Sequence, residues 1–122
     1  MNIKELLSRY GAGQRDFRNL NLMAANLRNL NLSGINLSGA NLTKANLTRT
    51  NLSHANLSEA TLVGVNLTET NLTKANLTSA DLSDTNLTQI DLSQTYMRGA
   101  ILPVQAELKQ GAKSKPIQET TV

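Results

Sequence analysis

Ala45-Asn46-Leu47-Thr48-Arg49-Thr50-Asn51-Leu52-Ser53-His54-Ala55-Asn56-Leu57-Ser58-Glu59 carries one five-residue pattern three times in succession. The order is a small residue, Asn, Leu, Ser or Thr, and a free position. Followed outward in both directions, the pattern runs from Arg15 to Val104 without an insertion, eighteen units in all. The central positions are Phe17, Leu22, Leu27, Leu32, Leu37, Leu42, Leu47, Leu52, Leu57, Leu62, Leu67, Leu72, Leu77, Leu82, Leu87, Leu92, Met97 and Leu102. The residue before the centre is Asn in twelve units and Asp in three; the residue before that is Ala in eight and Thr in four.

A period of five matches neither a helix face, which recurs at 3.6, nor a strand face, which recurs at 2.0. Within one unit the alternation still works: Ala45 and Leu47 are two apart and share one side of an extended segment, while Asn46 and Thr48 face the other way. The fifth residue lets the chain turn a corner. Gly34, Gly39, Gly64 and Gly99 stand at that place, but so do Lys44, Arg49 and Glu59, so a positive φ is not expected to be obligatory there. Asn before each centre suits the corners, because its side chain hydrogen-bonds nearby backbone.

Composition narrows the function classes. The 122 residues contain no Cys and no Trp, and aromatic residues make up 2%. A disulfide framework, a thiolate nucleophile and a Cys-ligated metal are therefore excluded. No apolar run approaches the ~18 residues that cross a bilayer, and Met1 to Leu7 lacks the apolar core of a signal peptide. These features lead to the expectation of a cytoplasmic protein with no membrane association. The net charge of +3 is too small to argue for direct nucleic-acid binding. His54 is the sole histidine, and a lone imidazole makes neither a metal site nor a triad. No catalytic residue, cofactor or metal ligand is expected. Ten Asn-x-Ser/Thr sequons between Asn31 and Asn86 are products of the repeat.

The pattern resembles the pentapeptide-repeat family, whose consensus is A-(N/D)-L-x-x. The register holds over roughly 90 residues, and the short chain with a helical start is most similar to small cyanobacterial members. The resemblance implies an all-β solenoid, a right-handed quadrilateral β-helix with four units per 20-residue coil and about four and a half coils. Units four apart would then stack in columns. One column reads Leu20, Ala40, Ala60, Ala80, Ala100; another reads Leu30, Thr50, Thr70, Ile90; a third reads Ala25, Ala45, Val65, Thr85.

At the N-terminus, Ile3, Leu6, Leu7 and Tyr10 fall on one helical face behind an Asn2 cap. The expected organisation is a capping helix in 1–14, the repeat in 15–104, and a C-terminal cap or short helix with a flexible tail in 105–122. Charge is unevenly spread. Residues 15–49 hold Arg15, Arg18, Arg28, Lys44 and Arg49 against Asp16, whereas residues 50–97 hold Glu59, Glu69, Asp81, Asp84 and Asp91 against Lys74.

These features give the expectation of a non-catalytic interaction module that presents rigid flat faces to a protein partner. Arg28, Lys44, Arg49, Glu59, Glu69 and Asp84 form its candidate surface. Neither a small-molecule substrate nor a cofactor enters that reading, and the oligomeric expectation is a monomer or a weak dimer through an end cap. The resemblance adds an alternative, since some family members mimic duplex DNA and act on DNA gyrase; such a topoisomerase modulator would need a long acidic rod. A further alternative is an ice-binding plane, formed by Thr48, Thr68 and Thr88 beside Asn46, Asn66 and Asn86.

Overall fold

The computed structural model describes residues 1–104. The C-terminal cap or tail expected over 105–122 lies outside the described residues.

Among the described residues one regular element forms. Helix α1 spans Ile3–Gly11, with the Asn2 side chain accepting the Glu5 N–H at its N-cap. Leu6 is fully buried and enters the same apolar cluster as Phe17, with Ile3 and Tyr10 partly buried beside it. Leu7 stays exposed. The Tyr10 hydroxyl donates to the Ser33 carbonyl at 2.6 Å, and the Arg15 guanidinium stacks 3.8 Å from the Tyr10 ring centre. α1 is thereby tied to the first units of the repeat by an apolar contact, a hydrogen bond and a cation–π contact.

The expectation of an all-β solenoid, a β-helix, is overturned by the backbone: among the described residues there is no β-strand. Residues 20 apart meet instead in isolated parallel bridges of a single residue pair, such as Asn26↔Asn46, Asn46↔Asn66 and Asn51↔Asn71. The reason lies in the length of the unit. A turn closes from most centres to the residue three later, as in Ala45 N–H to Leu42 C=O and Thr50 N–H to Leu47 C=O. That leaves only the Asn–Leu pair extended in each unit, too short for a ladder of consecutive pairs.

Each bridge is made by two hydrogen bonds. Leu47 N–H donates to Asn66 C=O at 2.8 Å, and Asn66 N–H donates to Ala45 C=O at 2.9 Å. A third bond joins the corners, where Arg49 N–H donates to Thr68 C=O at 2.9 Å. This corner bond requires a particular turn. The fifth residue of the unit is the third residue of the turn, and its φ is positive at Asn19, Ala24, Asn29, Lys44, Arg49, His54, Glu59, Glu69, Lys74, Ser79 and Asp84 as well as at the glycines. A positive φ is therefore the rule even at corners whose side chains argue against it, although it is not obligatory, since Gln89 and Gln94 lack it. A positive φ at the third residue of an i→i+3 turn marks type II geometry, which aims the second residue's carbonyl at the N–H of the unit below. That bond offsets the left-handed penalty of an L-residue, roughly 1–2 kcal/mol.

Inside, the centres from Phe17 to Met97 are all buried, while Leu102 is only partly so. The buried threonines are satisfied by backbone: the Thr70 and Thr85 hydroxyls each donate at 2.8 Å to the carbonyls of Leu47 and Leu62. On the outer side each Asn or Asp caps its own turn. Asn46 Oδ1 accepts both the Thr48 N–H at 3.0 Å and the Thr48 hydroxyl at 2.6 Å. Gly39 has a further constraint, since a Cβ there would collide with the Asn19 carboxamide oxygen.

Candidate functional site: an interrupted rung

Among the described residues the regular bonding fails between one pair of coils. Bridges link Asn46↔Asn66 and Asn41↔Thr61, and later Asn76↔Tyr96 and Asp81↔Ile101, but no bridge joins Asn66 to Asn86 or Asn71 to Asp91. By the register of the other units, Leu67 N–H should donate to Asn86 C=O, Glu69 N–H to Thr88 C=O, and Asn86 N–H to Val65 C=O. Among the described residues none of these three bonds forms. One corner further, Lys74 N–H donates at 2.6 Å to Gln94 C=O instead of Ser93 C=O.

The gap is a cleft of about 730 Å³, whose lining includes Gly64, Val65, Leu67, Glu69, Asp84, Asn86, Gln89 and Ile90. Asn66 and Thr68 on its lower lip are exposed, whereas Asn46 and Thr48 at the same places one coil earlier are half-buried.

Two local features coincide with the gap. First, Gln89 and Gln94 are absent from the positive-φ residues, although their turns still close through Ile90 N–H to Leu87 C=O at 3.2 Å and Thr95 N–H to Leu92 C=O at 3.1 Å. Without the positive φ such a turn is of type I, whose central peptide is flipped relative to type II. The flipped peptides carry the carbonyls of Thr88 and Ser93, the two acceptors that Glu69 and Lys74 lose. Secondly, the inward pairs across the gap are Val65 with Thr85 and Thr70 with Ile90, all β-branched and buried. The intact neighbouring stack pairs Ala60 with Ala80. Thr50 and Thr70 also stack across an intact interval, so the added bulk is that of Ile90 over Thr70. Surplus volume in a close-packed interior forces its neighbours apart.

Of the residues expected at the surface, the structure brings some together. Arg49 donates from Nε to Asn29 Oδ1 at 2.9 Å and lies 3.6 Å from the Glu69 carboxylate. Lys44 lies along Gly64 at the corner below Asp84. Glu69 and Asp84 border the cleft, while Arg28 and Glu59 are exposed away from it. His54 is exposed, and among the described residues no group of three or more His, Cys, Asp or Glu could hold a metal ion. No helix of the described residues is long and apolar enough to cross a membrane.

The sequence matches the family model of pentapeptide repeats in eight copies, over residues 21–58, 50–89 and 75–103. The chain belongs to the pentapeptide-repeat family. Over 70% of its length this pentapeptide-repeat chain is similar, at 31% identity and a TM-score of 0.60, to a pentapeptide repeat protein from the Arabidopsis thaliana thylakoid lumen. It spans 57% of that protein. HetL, a pentapeptide repeat protein involved in heterocyst differentiation regulation in the cyanobacterium Nostoc sp. strain PCC 7120, is 38% identical over 82% of this chain and 46% of its own, with a TM-score of 0.39. Rfr23, a pentapeptide repeat protein from the cyanobacterium Cyanothece 51142, is 24% identical over 82% of this chain and 95% of its own, with a TM-score of 0.33. No curated protein matches the sequence.

Two expectations are corrected at this point. The likeness to a thylakoid-lumen protein points away from the cytoplasmic location drawn from the sequence. The functional readings built on a regular β surface lose their structural basis, because the described residues contain no strand to form a flat sheet face. That removes the rigid flat-faced module, the gyrase-directed DNA mimic and the ice-binding plane alike.

Proposed function

We propose that the chain binds a protein partner by taking an extended segment of it into the cleft between residues 64–69 and 84–90. The observation that carries this reading is the interrupted rung. Its lips present Leu67 N–H, Glu69 N–H and Asn86 N–H as donors, and the carbonyls of Val65, Asn86 and Thr88 as acceptors, all unbonded among the described residues. Paired backbone is the norm in folded proteins, and an open backbone edge is a template for an added extended segment. Leu67 and Ile90 supply an apolar wall, and Asn66, Thr68, Asn86 and Gln89 a polar rim.

Charge does not select the occupant. Glu69 lies 3.6 Å from Arg49, and Lys44 packs along Gly64 in the corner column that also carries Asp84. Main-chain pairing with small or β-branched side chains does the recognition, so the segment is near-neutral and strand-prone.

The test is an amide NMR titration with a synthetic peptide of alternating threonine and valine carrying one lysine at each end. Shifts are expected at Leu67, Glu69 and Asn86 and not at Leu47 or Arg49, and Thr68→Arg, which blocks the exposed lip, removes them. Shifts spread evenly over all corners, or none at saturation, would refute the reading.

A further inference from the structure

We infer that the interrupted rung is one state of a two-position latch, set by the peptides Thr88–Gln89 and Ser93–Gln94. In the other state both turns take the type II form used throughout the repeat, and the Thr88 and Ser93 carbonyls point down to Glu69 and Lys74. This goes beyond the binding reading by naming how its cleft opens and closes. It rests on that reading only for the identity of the cleft as a site.

Three features meet at this latch. The corner residues at positions 89 and 94 are both Gln, and both lie outside the positive-φ set that their counterparts one coil earlier, Glu69 and Lys74, belong to. The acceptors missing from the interval are the carbonyls of those same two peptides, and the N–H of Lys74 has moved one residue along, to Gln94 C=O. The inward pair Thr70–Ile90 sits beneath the first flipped turn. Elsewhere a corner bond and a bridge together offset the left-handed penalty. Here the surplus volume at Ile90 weakens the stacking that would accompany them, so the balance tips to the flipped form. A flip of one peptide plane inside a closed i→i+3 turn moves few other atoms, which keeps the two positions close in energy.

Because the latch needs no ligand, it is read by hydrogen exchange on the free protein, and the outcome is separate from any peptide titration. Two substitutions should close it by different routes. Gln89→Gly with Gln94→Gly removes the cost of a positive φ, as Gly64 does at its own corner. Ile90→Thr recreates the intact Thr50–Thr70 stack inside the core. Each is expected to slow exchange at the amides of Leu67 and Glu69 by about tenfold or more, with Leu47 and Arg49 unchanged. Gln89→Val with Gln94→Val, which disfavours a positive φ, should leave the Leu67 and Glu69 amides as fast as in the unmodified chain. The latch is overturned if neither closing variant slows those amides while Leu47 and Arg49 keep their protection, or if the valine pair protects them. A peptide that fails to bind while the closing variants do slow exchange would sink the binding reading and leave the latch standing.

Discussion

Truncating Leu47 and Leu67 in turn tests whether the interrupted rung alters the mechanics of the core. Both are central leucines, 0% and 3% exposed, and both lose the same three carbons on substitution by Ala. The cost of such a change runs from about 2.7 to 5 kcal/mol and grows by roughly 24 cal/mol for each Å³ of cavity that fails to collapse. Leu47 is held on both sides: its own N–H donates to Asn66 C=O at 2.8 Å, and Asn46 N–H donates to the coil below through Ala25 C=O at 2.9 Å. Its walls cannot close in, so Leu47→Ala should cost about 4 kcal/mol or more. Leu67 is bonded below, through Asn66 N–H to Ala45 C=O at 2.9 Å, but its own N–H is open above. If the upper coil settles by about 40 Å³, Leu67→Ala costs about 1 kcal/mol less than its counterpart. Urea unfolding followed by far-UV circular dichroism measures the difference, provided both variants keep the m-value of the unmodified chain. Since repeat arrays can lose two-state behaviour, exchange at the Leu27 and Leu77 amides serves as the second probe. Equal costs, or a larger cost at Leu67, would mean that the open rung gives the core no freedom to relax.

Two more predictions concern the corners. Gly39→Ala should destabilise by ~1–2 kcal/mol through the left-handed penalty at its positive φ; the Asn19 carboxamide it would meet is the end of an exposed side chain that can swing clear, so the cost should persist in an Asn19→Ala background when thermal midpoints are compared in a double-mutant cycle. The Asp81 carboxyl lies below the usual carboxylate range because it accepts first the Ser83 hydroxyl, at 2.6 Å, and then the Ser83 N–H, at 3.0 Å. A depressed folded pKa gives stability that is complete above the unfolded value of about 3.9 and is lost as the pH falls through the folded one. Asp81→Asn should therefore flatten the acid limb of the stability–pH curve below about pH 4, and an unchanged limb would rule out this contribution.

The repeat lets some of the architecture be read from the letters and conceals the rest for definite physical reasons. Alternation places Ala45 and Leu47 on one side, and both are buried. The absence of strands could not be read that way. It follows from the turn closing through four of every five residues, so that one bridged pair per unit is all that remains. The positive φ at Lys44, Arg49 and Glu59 was likewise hidden. Side-chain identity alone argues against it, and only the corner bond to the next coil, made repeatedly along the chain, reverses that preference.

The cleft was harder still to foresee, although its ingredients stand in plain columns. Leu30, Thr50, Thr70 and Ile90 are visible as a series of large inward residues, yet Leu30 and Thr50 stack across an intact interval and Ile90 over Thr70 does not. Size in a column is therefore insufficient. What distinguishes the last interval is that its surplus volume coincides with two corners lacking both Gly and a positive φ, Gln89 and Gln94. Either feature alone is tolerated elsewhere: Lys44 and Arg49 keep the left-handed turn over well-fitting pairs. A corner bond of ordinary strength, roughly 1 kcal/mol net, is close in size to the left-handed penalty at a non-glycine residue. A small packing defect is then enough to decide the turn type. Site and repeat thus share one energetic balance, and Ile90→Thr tips it from inside the core without touching the turn.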